Sequence, residues 1–218
     1  MAETTLIISS KNYSSWSLRG WLLVRMSGLP FKEQLISSDD PAAREELLLR
    51  SSSILVPCLT HEGVSVWDTL AIAEYLNELR PEARMYPEER TARARCRSIS
   101  GEMHSGFSAL RSSLPMNLRV HREGFPVWSS AQTDIDRVMT IWRECFNTWG
   151  GPFLFGERFT VADAMYAPVC TRFNTYDVKL DDASAAYSAR ILALPDMVEW
   201  TAAALLEEEK VAELEVEF

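Results

Sequence analysis

The hydrophobic periodicity of this chain changes once along its length, and that change limits the folds open to it. Up to about Leu79, runs suited to strands alternate with runs suited to helices. They are "TLIIS", a helix from Trp16 to Ser27, "FKEQLIS", a helix-prone acidic stretch around Pro41 to Arg50, "CLTHE", "VSVWD", and a helix from Thr69 to Leu79. The spacing predicts the order β-α-β-α-β-β-α. Strands separated by a helix lie parallel through a right-handed crossover, whereas the Glu62-Gly63 step between two short runs is a hairpin signal. A mixed, four-stranded sheet is therefore expected. The prolines and charges of "RPEARMYPEER" then interrupt the pattern. Beyond them the spacing is helical only: Glu88 to Leu114, Ser129 to Trp149, Val161 to Tyr176, Ala183 to Ala193 and Pro195 to Val211. The acidic tail "LLEEEKVAELEVEF" reads as a solvated helix end.

Such a sheet with helices on both faces is a thioredoxin-like unit. The expected fold is an α/β thioredoxin-like N-terminal domain over residues 1–80, a linker over 81–88, and an all-helical C-terminal domain over 89–218. With 47% hydrophobic content, 218 residues suffice to bury cores of that size. Pro57 opens a strand that has partners on both sides, where proline cannot donate to the ladder. An X-Pro bond is also the one place where a cis peptide is cheap. Thioredoxin-like folds keep a cis-proline immediately before the β-hairpin, so Val56-Pro57 is expected to be cis.

A net charge of −9 with only 22 Lys and Arg argues against a dedicated nucleic-acid or anionic-membrane binder, since both need clustered positive charge. No apolar stretch is long enough to span a bilayer and the N-terminus lacks a signal-peptide pattern, which points to the cytoplasm. Cys58, Cys96, Cys145 and Cys170 are isolated and form no C-x-x-C pair, so they read as buried thiols. His61, His104 and His121 do not show metal-ligand spacing. No metal site is expected.

Two strand-to-helix junctions carry chemistry. In "SKNYSSWSLR", Ser14, Ser15 and Ser17 sit where the first backbone N–H groups of a helix are free. One serine would suffice as a cap; three in four positions suggest donors aimed at a ligand. In "VWDTLAIAEYL", Asp68 and Thr69 fit simple capping, and equally fit an anion site in which hydroxyl, N–H groups and helix dipole hold a carboxylate beside an acid that takes an amine.

"SSWSLR" after the first strand, "VP" before the third, "DTLAIAEYL" opening a helix and "FTVADAMYAP" in the helical half together resemble the cytosolic glutathione transferases, over essentially the whole chain. "SSWSLR" is similar to the S-S-x-S-x-R signature of the zeta class, which includes maleylacetoacetate isomerases, and the chain resembles a bacterial, zeta-like member.

The resemblance implies a homodimeric enzyme that binds and ionises glutathione, its co-substrate, for attack on a small electrophile. Glutathione-dependent cis–trans isomerisation, peroxide reduction, or a noncatalytic partner-binding role are the alternatives it leaves open. The nucleophile is the thiolate, so the site must stabilise negative sulfur. Ser14 is the implied donor, with Ser15 and the turn's N–H groups supporting it and Ser17 as the alternative. Val56 would pair its backbone with the cysteinyl part ahead of Pro57, and Asp68 and Thr69 would hold the γ-glutamyl end. Leu55 stands where zeta members carry Gln, and Lys11 is placed to reach the glycyl carboxylate. The candidates for the electrophile side are Trp16, His104, Phe107, Arg111, Met116, Arg119 and Arg172, with Phe107 and Met116 equally fitting the core and Arg111 and Arg119 equally fitting a helix surface. Maleylacetoacetate isomerases place an arginine where this chain has Thr175, and Arg172 lies one turn earlier. "FTVAD" is a capping box of Thr160 and Asp163 with a folding role.

Overall fold

The computed structural model describes residues 4–36 and 55–208. Its sheet is built on β1 (Thr5–Ile8), whose Leu6, Ile7 and Ile8 are all buried, so it lies inside the sheet. Strand alternation sends Leu6 and Ile8 to the main core and Ile7 to the opposite face. β2 (Lys32–Leu35) pairs with β1 in parallel, with Thr5 opposite Lys32. β3 (Cys58–His61) pairs with β1 antiparallel, and β4 (Val64–Trp67) with β3. The order β2-β1-β3-β4 is the mixed four-stranded sheet expected from the sequence. The parallel rule for strands separated by a helix, however, holds only for β1 and β2: β3 follows the helix-prone stretch after β2 and runs antiparallel to β1. At the β3–β4 turn, Glu62 and Gly63 have φ of 50° and 80°, the paired left-handed geometry of a two-residue hairpin. On the Ile7 face only Cys58, Ile36 and Val56 pack among the described residues. The helix expected around Pro41 to Arg50 lies outside them.

Helix α1 (Ser15–Ser27) follows β1, and α2 (Thr69–Leu79) follows β4. Residues Pro81–Ala83 form a single 3-10 turn, after which Met85 and Tyr86 are buried, so the charged connection is pinned by its apolar residues. The helical part comprises α3 (Arg90–Ser105), α4 (Ser108–Ser113), α5 (Ser129–Trp149), α6 (Val161–Thr175), α7 (Asp182–Leu192) and α8 (Pro195–Leu205). The one long helix expected from Glu88 to Leu114 is in fact two. Gly106 caps α3 in an extended conformation, and Phe107 takes φ of 58°, which turns its ring into the core. The last helix stops at Leu205 instead of continuing to Val211.

Helix α6 is buried at every position but Asn174, and it forms the centre of a continuous core running from Leu6 of β1 to Trp200 of α8. Its N-terminus shows the expected box: the Thr160 N–H and hydroxyl both donate to Asp163 Oδ2 at 2.8 Å. Asp163 Oδ1 accepts from Leu154 N–H at 3.0 Å and from the Tyr187 hydroxyl at 3.1 Å. The acid thus ties together α6, α7 and the loop before α6. All four cysteines are free and buried.

Candidate active site

The serine turn is shaped by how its hydroxyls divide the work. Ser14 is the N-cap of α1 (φ −87°, ψ 93°), its Oγ accepting the Ser17 N–H at 3.2 Å and donating to Ser17 Oγ at 2.8 Å. Ser17 is fully buried and its Oγ also accepts the Ser9 N–H at 3.0 Å, so it serves the join between β1 and α1. Ser15 Oγ, nearly buried, accepts from Arg172 Nη2 at 3.2 Å. Of the three, Ser14 alone is more than marginally exposed, although it is also the cap.

The Val56-Pro57 bond is cis, as expected, and Pro57 rests on the middle of α1. A Cβ built on Gly20 would lie 2.4 Å from Pro57 Cγ, which explains a glycine within an otherwise apolar helix. Leu55, at the exposed end of this edge, is 61% accessible.

At the start of α2, Asp68 rather than Thr69 is the cap. Its Oδ1 accepts the Leu70 and Ala71 N–H groups at 2.8 and 3.4 Å. Its backbone has φ of 74°, outside the usual range for a residue with a side chain. Oδ2 meets Nε2 of His104, on α3, at 2.5 Å. The carboxylate partner of His104 is thus brought to it by the fold from 36 positions earlier. Thr69 is 1% exposed, and its hydroxyl oxygen has no hydrogen-bond partner, a rare condition for a buried polar atom.

Trp16 gathers the cations. The guanidiniums of Arg19 and Arg111 lie 4.6 and 5.3 Å from its ring centre, and the His104 ring is 5.1 Å away. Arg19 is fully buried; it donates to Met165 O and Ser15 O, and its Nη2 has no partner. Arg172, also buried, donates to Leu114 O, Pro168 O and Ser15 Oγ. Arg111 donates to the carbonyls of His104 and Gly106. None of the three forms an ion pair with a carboxylate among the described residues. Burial, and after it repulsion from Arg172 and Arg111, lowers the Arg19 pKa well below its usual value. Burial and then Arg111 lower that of Arg172 to about 10. Asp134 is close enough to act on Arg111, but none of the three guanidiniums is in ion-pair contact with a carboxylate among the described residues, and such a cluster of desolvated positive charge is suited to receive an anion.

The structure therefore brings Ser14, Ser15, Trp16, His104, Arg111 and Arg172 to one region. Phe107 and Met116 instead belong to the core, at 7% and 1% exposure. Lys11 does not stand free as a ligand: it pairs with Glu33 at 2.6 Å and lies 5.2 Å from the Trp200 ring centre. Arg119 reaches the Tyr13 hydroxyl and the Glu207 carbonyl. Thr175 donates to Asn117 O. Sequence reasoning gave Arg19 no role, though a charge amid Leu18, Gly20, Trp21 and Leu22 was itself a signal. Nothing local marked Glu207, whose carboxylate binds the turn before α1.

A thioredoxin-like sheet with a cis-proline edge and a hydroxyl-capped first helix, joined through its core to a bundle of helices, defines a two-part thioredoxin-like protein. The family models for the glutathione S-transferase N-terminal and C-terminal domains match residues 13–79 and 88–203. The chain belongs to the glutathione S-transferase family, and the curated relatives it resembles are maleylacetoacetate isomerases. It is 27% identical to maleylacetoacetate isomerase of Rattus norvegicus over 169 residues, 76% of each chain. A Burkholderia glutathione transferase homologue solved with bound glutathione superposes with a TM-score of 0.70 at 20% identity, covering 94% of this chain and 98% of that one. A maleylacetoacetate isomerase from Anaeromyxobacter dehalogenans, solved with dicarboxyethyl glutathione and citrate in its active site, gives 0.65 at 23%, covering 91% and 94%. Among the described residues there is no group of three or more metal-ligating side chains, and no helix is long and apolar enough to cross a membrane.

Proposed function

We propose that glutathione lies between the two helix N-termini, with its sulfur at Ser14 and its γ-glutamyl carboxylate at Thr69, and that the sulfur adds to a small electrophile bearing a carboxylate. The buried Thr69 hydroxyl carries the first part. An oxygen without a partner at the positive end of α2 fits a ligand carboxylate, and Asp68 beside it supplies the charge for the amine. Val56 offers its backbone between the two ends. At the other end, turning only the Ser14 hydroxyl hydrogen from Ser17 to the sulfur keeps the Ser17 N–H cap and provides a donor to the thiolate. Attack then forms the S–C bond, pushes the electrophile's π electrons onto its activating group, and takes a proton from solvent at the adjacent carbon.

The arginines define the electrophile. Arg111, Arg172 and the free Nη2 of Arg19 would hold its carboxylate near Ser15 and Trp16, in line with the dicarboxyethyl adduct bound by the Anaeromyxobacter relative. Cis–trans isomerisation is the second reading, supported by the relatives' names and opposed by Thr175 where those isomerases place an arginine. In it the adduct expels glutathione again after rotation about the former double bond. A homodimer fits the exposed Val64, Trp67 and Leu79 on β4 and α2, the cytoplasm is the proposed location, and residues 1–80, 81–88 and 89–218 are the proposed functional division.

Calorimetric titration with glutathione tests the binding mode. Thr69→Val is expected to weaken binding about tenfold while leaving stability unchanged or slightly higher, since a hydroxyl with no partner is replaced by an isostere. Unaltered affinity would remove Thr69 from the site. Assays with α,β-unsaturated acids and their methyl esters test the electrophile. The acids should react faster, with the preference lost in Arg111→Leu, and the product shows whether the adduct is released or glutathione returned.

A further inference from the structure

The turn that presents Ser14 is held by a carboxylate from the far end of the chain. Glu207, two residues beyond α8, directs Oε1 to the Lys11 N–H at 2.6 Å, and Oε2 to the Ser10 hydroxyl at 2.6 Å and the Asn12 N–H at 3.0 Å. Two successive backbone N–H groups and a hydroxyl converging on one carboxylate make a nest for an anion. Other contacts fix both partners in place. Trp200 Nε1 donates to the Lys11 carbonyl at 2.9 Å, and Arg119 bridges the Glu207 carbonyl and the Tyr13 hydroxyl. On the other flank, Asn12 exchanges bonds with Asn117 and the Leu118 N–H.

This strap reaches the serine through one further residue. Ser10 donates its hydroxyl to Glu207, and the same oxygen accepts the Asn12 and Tyr13 N–H groups at 3.2 Å. The Ser10 carbonyl accepts the Ser14 N–H at 2.9 Å. Every bond from Glu207 to Ser14 thus passes through a segment with no other regular structure. We propose that Glu207 is a positioning residue for thiol activation: it fills the nest of the β1–α1 turn and so fixes the distance between the Ser14 hydroxyl and the glutathione sulfur. The inference rests on the assignment of Ser14 to the sulfur. Without the carboxylate, the Lys11 N–H turns to water, the Asn12 N–H keeps only the Ser10 hydroxyl, and the segment that carries the Ser14 N–H contact loosens. A displacement of that kind costs rate without abolishing binding, because the γ-glutamyl contacts at α2 are elsewhere.

The test uses the full chain carrying Glu207→Ala, with Glu208→Ala as the control on the neighbouring exposed residue. In Glu207→Ala, the thiol pKa of bound glutathione, read from its ultraviolet thiolate band, is expected to rise by about one unit. kcat/KM should fall about ten- to a hundredfold, with the Kd for glutathione changed much less. Added formate should fill the nest and restore part of the rate in Glu207→Ala but not in wild type. Amide exchange at Lys11, Asn12 and Ser14, measured without glutathione, should accelerate in Glu207→Ala only. A folded Glu207→Ala protein with wild-type thiol pKa and unaccelerated exchange at Lys11, Asn12 and Ser14, or one whose lost rate formate does not restore, overturns the proposal. If exchange accelerates and formate reverses it while the thiol pKa stays put, the strap is real but Ser14 is not at the sulfur, so the failure is that of the transferase geometry.

Discussion

Asp68 Oδ2 and His104 Nε2 stand 2.5 Å apart, joining the residue that caps α2 to a ring on α3, in the helical half of the chain. Both side chains are about a third exposed. A pair in such surroundings is worth about 0–1 kcal/mol, so it does little to hold the two halves together. Its consequence is for the ligand. Oδ1 is committed to the helix, and Oδ2 shares its charge between His104 and whatever cation arrives beside Thr69.

Asp68→Asn therefore separates cap from charge. Asparagine caps a helix about as well as aspartate, so melting should change little. Affinity for glutathione should fall about tenfold, the cost of turning a charge-assisted bond into a neutral one, while an analogue lacking the γ-glutamyl amino group should bind both proteins alike. His104→Ala should not raise the Kd. Equal losses for both ligands in titration calorimetry would take the amine away from Asp68.

Three substitutions divide the serine turn. Ser14→Ala removes both cap and donor, and should cost about 0.5–2 kcal/mol of stability. Ser14→Gly keeps most of the capping, so its effect on rate reports the hydroxyl alone: turnover should drop about a hundredfold with stability lowered by only a few tenths of a kcal/mol. Ser17→Ala leaves the Ser9 N–H buried and without its acceptor, and should cost about 1–3 kcal/mol with turnover per folded molecule nearly intact. Steady-state rates beside denaturant midpoints decide it; a Ser14→Gly enzyme at full speed means another group serves the sulfur.

Much of this architecture was legible because local physics decides it. The alternation of strand and helix runs, the hairpin at Glu62-Gly63 and the box at Thr160 each depend on neighbours in sequence, and each is present. Phe107 shows where that reasoning stops: the helical spacing continues through it, and tertiary burial of its ring breaks the helix. The serine turn was legible as a site, but the division of labour within it was not, because Ser17 is claimed by Ser9 from the preceding strand. The pairing of His104 with Asp68 spans 36 positions and that of Glu207 with Lys11 spans 196, and no periodicity encodes such contacts.

Gly20 is the point where α1 meets Pro57. In a free helix, alanine would be preferred to glycine there by about 1 kcal/mol. Here its Cβ would sit 2.4 and 2.6 Å from two carbons of a proline ring that cannot turn aside. Overpacking of that kind costs about 1–3 kcal/mol and wins over propensity. Gly20→Ala should therefore lower stability and, by moving α1 from the Val56-Pro57 edge, weaken glutathione binding more than Thr69→Val does. Thermal melts and titration measure both; a more stable protein with unchanged affinity would show that the edge yields.

Asp163 gives the fold a pH dependence of its own. Burial raises its pKa from 3.8 to about 6, even though Leu154, Thr160 and Tyr187 all donate to it. The folded chain thus holds this proton to higher pH than the unfolded chain does. Between about pH 4 and 6 the native state binds more protons, so unfolding free energy falls as pH rises. The contribution is complete below the unfolded pKa and is lost above the folded one. Asp163→Asn has no such proton and also misplaces an amide N–H against the donors of Thr160, so it should be less stable than wild type throughout. The gap between the two should be largest near pH 4 and shrink by about 2–3 kcal/mol by pH 7, the value of a two-unit shift. Urea unfolding of both proteins across that range measures the gap directly. A gap that stays constant or widens toward neutral pH would mean that the four donors outweigh burial and that the acid is ionised within the core.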